Sequence, residues 1–252
     1  LIIIALITIG GLGFLVWGEL RRTRRFSRLS VYTRLVLILS AVLTFGGAAL
    51  LAVLEWNNPW TLGGMPVWQK LLASLFQSVT TRTAGFFTVS QAGLTEAGKA
   101  VSDMLMFVGG SSGSTAGGLK TVTLGVVVLA AVGTARGRSR ASVFRHTIPQ
   151  EKVSQAMTLF MLMLTLAFVG AALICACSGC SLSTALYETV SALATVGLTA
   201  GLTATLTTLP KLLLIVFMFF GRVGIMTISI GFLTASRAED RFEYAPARML
   251  IG

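Results

Sequence analysis

Long apolar runs separated by short polar hinges set the pattern of the chain. LVLILSAVLTFGGAALLAVLEW (35 to 56), MTLFMLMLTLAFVGAALICAC (157 to 177) and LPKLLLIVFMFFGRVGIMTISIGFL (209 to 233) each reach the roughly 20 residues that a helix needs to cross hydrocarbon, and they predict spanning helices. Residues 1 to 17, LIIIALITIGGLGFLVW, are also apolar and run straight into arginines, the reverse of the charge order of a signal peptide. Two stretches are too short to span: WQKLLASLFQSVT, from 68, and TALYETVSALA, 184 to 194. They predict re-entrant helices. Residues 101 to 132 as one straight helix would measure about 48 Å against a hydrocarbon core of about 30 Å, so a break is expected at GGSSGSTAGG, 109 to 118.

Charge gives the orientation. RRTRRFSR (21 to 28) with Arg34, ARGRSR (135 to 140) with Arg145 and Lys152, and Arg237, Arg241 and Arg248 all lie in hinges or at the end, which makes those segments cytoplasmic by the positive-inside rule. Trp56, Trp60 and Trp68 suit an aromatic belt on the opposite side. The net charge of +11 therefore reads as a cytoplasmic surface for anionic lipid or an acidic partner, and nucleic acid is not expected. With both basic hinges inside, only one apolar stretch between 68 and 133 can span, so TRTAGF is placed at membrane depth in non-helical form. Backbone of that kind is tolerated only where it lines a path or is buried in protein.

The same arithmetic applies twice. One constant offset along the chain carries Gly85 to Gly197, Thr83 to Thr195, Met106 to Met218, Phe107 to Phe219 and Gly109 to Gly221. A parallel internal repeat follows. The expected fold is an all-α integral membrane protein of repeated helix, re-entrant pore helix, filter loop, helix units. Residues 1–17 form the last helix of a preceding repeat, 18–34 a basic cytoplasmic linker, 35–133 one unit, 134–152 a second linker, 153–234 another unit, and 235–252 a cytoplasmic tail.

Candidate chemistry lies where this pattern is interrupted. Gly loops at membrane depth need partners for their oxygens, and a dehydrated cation supplies one. The backbone carbonyls of Thr83, Ala84, Thr195 and Val196, with Gly85, Phe86, Gly197 and Leu198 completing each turn, are the expected filter. The second candidate is the intramembrane loop Gly109, Gly110, Ser111, Ser112, Gly113, Ser114, Thr115, Ala116, Gly117 and Gly118. A phosphate-binding reading of this loop, as in a membrane phosphotransferase or hydrolase, fails on spacing, because Leu119 separates Gly118 from Lys120. Arg222 falls near the middle of its apolar run and is expected to face loop carbonyls as part of a gate. Glu188, nine residues before Gly197, is expected to accept hydrogen bonds behind the filter or to raise the local cation concentration. Cys175, Cys177 and Cys180 lack a second Cys pair, and the chain's only histidine, His146, lies in a cytoplasmic hinge; structural or incidental thiols are expected.

SVTTRTAGF, GGSSGSTAGGLKT, SALATVGLT and FFGRVG together resemble the Trk/Ktr/HKT superfamily of K+ transporters, most closely its Ktr-type membrane subunit, over nearly the whole chain. In that family four M1-P-M2 repeats surround one pore. The resemblance implies that this chain holds the third and fourth repeats, with filter glycines at Gly85 and Gly197, a gating loop at 109 to 118 and a gating arginine at Arg222. It further implies a multi-pass plasma-membrane protein that takes up K+, with Na+ as a second candidate ion and no organic cofactor or enzymatic activity. Its implied partners are the N-terminal half of the same transporter, a second copy in a homodimer, and a cytoplasmic nucleotide-binding (RCK-type) regulatory subunit. Ala194 departs from the family's usual Gly, and GGLKTVT and GRVGIM depart from GGIKTTT and GRVGPL.

Overall fold

The structure, a computed structural model, describes residues 1–23, 25–138 and 140–223. The basic tail 235–252, with Arg237, Arg241 and Arg248, and the end of the run expected to reach 234 lie outside the described residues. Among the described residues two helices are long and apolar enough to cross a membrane. The first is Val31–Glu55, in which α3 (Val31–Ala41) and α4 (Gly47–Glu55) are joined by a π-helical turn, Val42–Gly46. The second is α8 (Gln150–Ser178), which ends where Gly179 takes a left-handed conformation and donates to Cys175 O at 2.9 Å.

The N-terminal run differs from the single helix expected over 1 to 17. It divides into α1 (Ile2–Leu12) and α2 (Phe14–Arg22), bent by 92° at Gly13. Gly13 has φ 82°, and a Cβ there would lie 2.8 Å from Ser112 O, so no side chain fits. The carbonyls freed by the bend are taken by the distant loop: Ser111 N donates to Gly11 O at 3.0 Å, and Ser111 Oγ donates to Leu12 O. Phe14 N in turn donates to Gly113 O at 3.1 Å.

After the first long helix come α5 (Val67–Thr80), an irregular turn, α6 (Glu96–Phe107), a loop over residues 108–120, and α7 (Thr121–Ala135). A small antiparallel hairpin, β1 (Ser142–Val143) with β2 (His146–Thr147), occupies the linker that the hydropathy pattern left without structure. After α8 come α9 (Leu182–Leu193), a second irregular turn, the short α10 (Leu202–Thr205) and α11 (Thr208–Val223). The offset that relates Gly85 to Gly197 also relates the first residue of α6 to the first residue of α11. Thr95 caps α6 by accepting from Gly98 N at 3.0 Å, and Ser181 caps α9 through Thr184 N at 3.4 Å, so short helices with few backbone bonds have defined starts.

The core gathers around α9, against which α6, α8 and α11 pack, with Tyr187, Leu193, Ile174 and Met106 wholly buried. Phe45, Val53, Phe168, Ile215 and Phe219 are exposed instead, an outward apolar surface that suits lipid or further protein and not water. Gly170 lets α8 and α11 approach closely, since a Cβ there would stand 2.6 Å from the Phe217 ring. Gly170→Leu should therefore destabilise the folded protein by about 1–3 kcal/mol through overpacking, lowering its thermal unfolding midpoint in detergent. Gly18→Ala, on a helix with nothing within 4 Å, should leave the midpoint unchanged or raise it. Equal midpoints for Gly170→Leu and the parent would contradict this packing.

Candidate ion site

Two short helices, α5 and α9, each deliver the chain into a tight turn of the same backbone form. Thr83 has φ 66° and Gly85 φ 75°; Thr195 has φ 56° and Gly197 φ 89°. Among the described residues the only other non-glycine positions with positive φ are Phe144 and Arg145, at the tip of the hairpin. A left-handed threonine costs about 1–3 kcal/mol and persists only where its surroundings hold it. Here hydroxyls supply part of that hold: Thr80 Oγ1 donates to Phe86 O at 2.5 Å, and Ser191 Oγ donates to Leu198 O at 2.6 Å. Ala84 N and Val196 N donate back to Thr80 O and Ser191 O, at 3.1 and 2.8 Å.

The two turns touch. A Cβ on Gly85 would fall 2.3 Å from Val196 O, whereas the space beside Gly197 is open and only its φ demands glycine. Among the described residues no hydrogen bond reaches the carbonyl oxygens of Thr83, Ala84, Thr195 or Val196. Oxygens held close together by fixed backbone, and lacking donors, can replace the water around a dehydrated cation.

Buried polar side chains brace the turns from outside. Glu188, 3% exposed, accepts from Thr199 Oγ1 at 2.6 Å, from Ala200 N at 2.9 Å and from Thr203 Oγ1. Gln77 and Gln91 exchange hydrogen bonds at 2.6 and 3.1 Å, and Tyr187 Oη donates to Gln91 Oε1 at 2.8 Å, joining α5 to α9. Glu55 accepts from Asn58, Thr61 and both donors of Thr95. Sequence reasoning passed over Gln77, Gln91, Tyr187 and Glu55. Their signal was present in Gln77 and Tyr187, polar groups on helices otherwise rich in apolar residues.

The loop after α6 closes at its base, where Gly109 N donates to Leu119 O (2.9 Å) and Thr121 N to Gly110 O (3.1 Å). Its middle lies against the second turn: a Cβ on Gly117 would meet Thr195 Oγ1 at 2.1 Å, and one on Gly118 would meet Ala194 Cβ at 3.2 Å. Arg222 Nη1 donates to Thr115 O at 2.7 Å. Lys120 Nζ donates to Ala116 O at 2.6 Å, and Tyr32 Oη to Ser112 O at 3.0 Å; neither residue was singled out by the sequence as a loop contact. A cavity of about 500 Å³ is lined by Ser112 to Lys120, Thr123, Met163 and Arg222.

The family model described as TrkH, cation transport protein, matches residues 1–243. The chain is 37% identical over its whole length to the potassium/sodium uptake protein NtpJ of Enterococcus hirae, covering 57% of that protein. It is 35% identical over 96% of its length to the Ktr system potassium uptake protein B of Bacillus subtilis, covering 54% of it. The chain thus spans little more than half the length of these relatives. Among solved structures, the crystal structure of the potassium transporter TrkH from Vibrio parahaemolyticus matches with a TM-score of 0.71 at 20% identity, over 90% of this chain and 50% of that one. That likeness is one of fold.

Removal of the Glu188 carboxylate leaves a backbone amide and two hydroxyls without their acceptor. Glu188→Ala should speed amide hydrogen exchange at Ala200 and its neighbours by roughly tenfold or more, the scale of a buried donor left unsatisfied. Glu188→Gln keeps one oxygen and should do less. Unchanged exchange at Ala200 in Glu188→Ala would mean that the carboxylate does not order this segment.

Proposed function

The chain belongs to the TrkH family of cation transport proteins, and from that premise we propose that it forms part of a pore for K+ uptake, with Na+ as a second candidate ion. The observation that carries the reading is the pair of touching Thr-x-Gly turns, strained alike and placed at equivalent points of the two halves, whose carbonyls have no donors among the described residues. Each turn follows a short helix and precedes a second one, which supports two M1-P-M2 units, 35–133 and 153–234, joined by the cytoplasmic linker 134–152. Residues 1–17 then belong to the end of a preceding unit, with 18–34 as a linker and 235–252 as a tail. On this reading Thr83 to Phe86 and Thr195 to Leu198 are two filter segments. The names of the relatives, a potassium/sodium uptake protein and a Ktr system potassium uptake protein, support the substrate and a membrane component that works with other subunits.

The loop 109 to 118 is the gate. It packs against the second filter turn and lines the cavity, and Arg222 ties it by one of its carbonyls. A guanidinium at that place also repels cations, so the tied loop corresponds to the closed pore. The proposed setting is a multi-pass protein of the plasma membrane, paired with a second copy and driven by a cytoplasmic nucleotide-binding regulator that meets the basic linkers.

Both elements can be tested in the intact transporter by ion uptake in liposomes. Gly85→Ser should lower the K+/Na+ uptake ratio more than Gly197→Ser, because only the first also pushes a Cβ into Val196 O. Ratios equal to the parent in both variants would remove the filter assignment. Arg222→Ala, or deletion of residues 111 to 116, should raise K+ uptake without the regulator by about tenfold or more, the scale of one charged hydrogen bond, and leave the ratio alone. Uptake that falls in both folded variants would make the loop a structural brace and not a gate.

A further inference from the structure

Arg82, the residue immediately before Thr83, has no place in the functions argued so far. Its guanidinium donates from Nη2 to Ser40 Oγ at 3.3 Å and to Thr121 Oγ1 at 3.5 Å, and from Nη1 to Thr44 Oγ1 at 3.5 Å. The three acceptors sit on three different elements: Ser40 on α3, Thr44 in the π-helical turn, and Thr121 at the first position of α7. Its Nε is buried with no partner among the described residues. No carboxylate reaches it either, since the one ion pair among those residues joins Lys99 to Glu96. An intramembrane cation met only by hydroxyls is expensive to keep and marks function by default.

What Arg82 holds is informative. Thr121 is the residue that closes the base of the loop, through its amide to Gly110 O and its hydroxyl to Gly109 O at 3.2 Å. Thr44 lies in a turn wound with one extra residue, a departure that appears frequently at functional sites. Ser78, one helical turn before Arg82, donates to Thr44 O at 2.8 Å and so fixes α5 to the same turn. A small cavity of about 10 Å³ beside Arg82 is lined by Gly11, Thr44 and Gly110, so the α1 bend and the start of the loop meet at this point as well.

The counterpart of Arg82 in the second half, directly before Thr195, is Ala194. Ala194 is fully buried, and Gly117 and Gly118 of the loop lie directly on it. The second turn thus touches the loop through a methyl group and a carbonyl. The first turn is joined to the base of the loop through the Arg82 side chain, by way of Thr121. We propose that Arg82 is a positioning residue that ties the filter turn at Thr83 to the base of the loop, so that a change in the loop is felt in the filter. A planar group with five donors can hold several acceptors at once, which a lysine cannot reproduce.

This inference rests on the filter and gate reading above, and its test separates the two. In the intact transporter, Arg82→Gln should raise regulator-independent K+ uptake by about fivefold and lower the K+/Na+ ratio by about threefold, the scale of one ordinary net hydrogen bond, since the bonds of Arg82 are long. Arg82→Lys should recover part of both effects. Deletion of residues 111 to 116 should raise uptake alone. Arg82→Gln added to that deletion should raise uptake no further while still lowering the ratio. If the deletion leaves uptake unchanged, the gate reading falls. If the deletion raises uptake and Arg82→Gln multiplies that rise independently, the gate stands and the tie falls. Parental uptake and ratio in a correctly assembled Arg82→Gln protein would also overturn the tie. Should Arg82→Gln fail to assemble, Ser40→Ala with Thr44→Val removes two of the three acceptors and should move both readouts in the same directions; parental values there would overturn it.

Discussion

Backbone carbonyls at membrane depth need donors or ions, and that single constraint organises the chain. A helix meets it internally; an irregular segment cannot. Each of the three kinds of irregular segment that matter here meets it differently. The bend at Gly13 gives its carbonyls to Ser111. The loop 109 to 118 gives its own to Arg222, Lys120 and Tyr32. The two Thr-x-Gly turns give theirs to no side chain or amide among the described residues, although hydroxyl, amide and carboxylate groups brace them from behind. Donors are plentiful around these turns but aimed elsewhere, at Phe86 O and Leu198 O, which is how a protein keeps chosen oxygens open without leaving the segment loose.

The halves share a pattern but not their parts. Where the first half has a glycine and serine loop between α6 and α7, the second has α11 carrying Arg222, at the position matching Gly110. Where the second half has Ala194, the first has Arg82. Each difference places a cation opposite a small residue, and both cations bind the same loop region, one at Thr115 O and the other through Thr121 at its base. A repeat with identical copies would have no reason to hold one loop from two sides. The asymmetry leaves a single loop region in contact with residues next to both turns.

Local features were legible in the sequence and long-range ones were not. The thirteen residues WQKLLASLFQSVT are too few to span, and α5 runs for 14 residues; the density of Gly and Ser at 109 to 118 marks a segment that cannot stay helical, and α6 stops at Phe107. The pairing of Gly85 with Gly197 was legible because the offset recurs at several other positions. The bend at Gly13 was not. IGGLGF reads as apolar helix, and what breaks it is Ser111, about a hundred residues away. Arg82 was hidden for the same reason: inside TTRTAG it looks like part of a turn, and its three acceptors lie 38 to 42 residues off on other helices. The hairpin in the 134 to 152 linker carries no apolar alternation that would announce it.

The strength of the loop's attachments bears on whether it could serve as a gate. Arg222 to Thr115 O, Lys120 to Ala116 O, Tyr32 to Ser112 O and the Ser111 contacts to Gly11 O and Leu12 O are individual hydrogen bonds, each with a net contribution of about 1 kcal/mol and the charged ones somewhat more. Together they come to a few kcal/mol. Reversing a two-state equilibrium from 1:99 to 99:1 takes about 5.5 kcal/mol of differential binding. A loop held by a continuous helix or a packed apolar core would need far more than a regulator binding at the cytoplasmic surface can deliver. One held by a handful of separate polar ties, against glycines that leave no side chain to unpack, lies within that range.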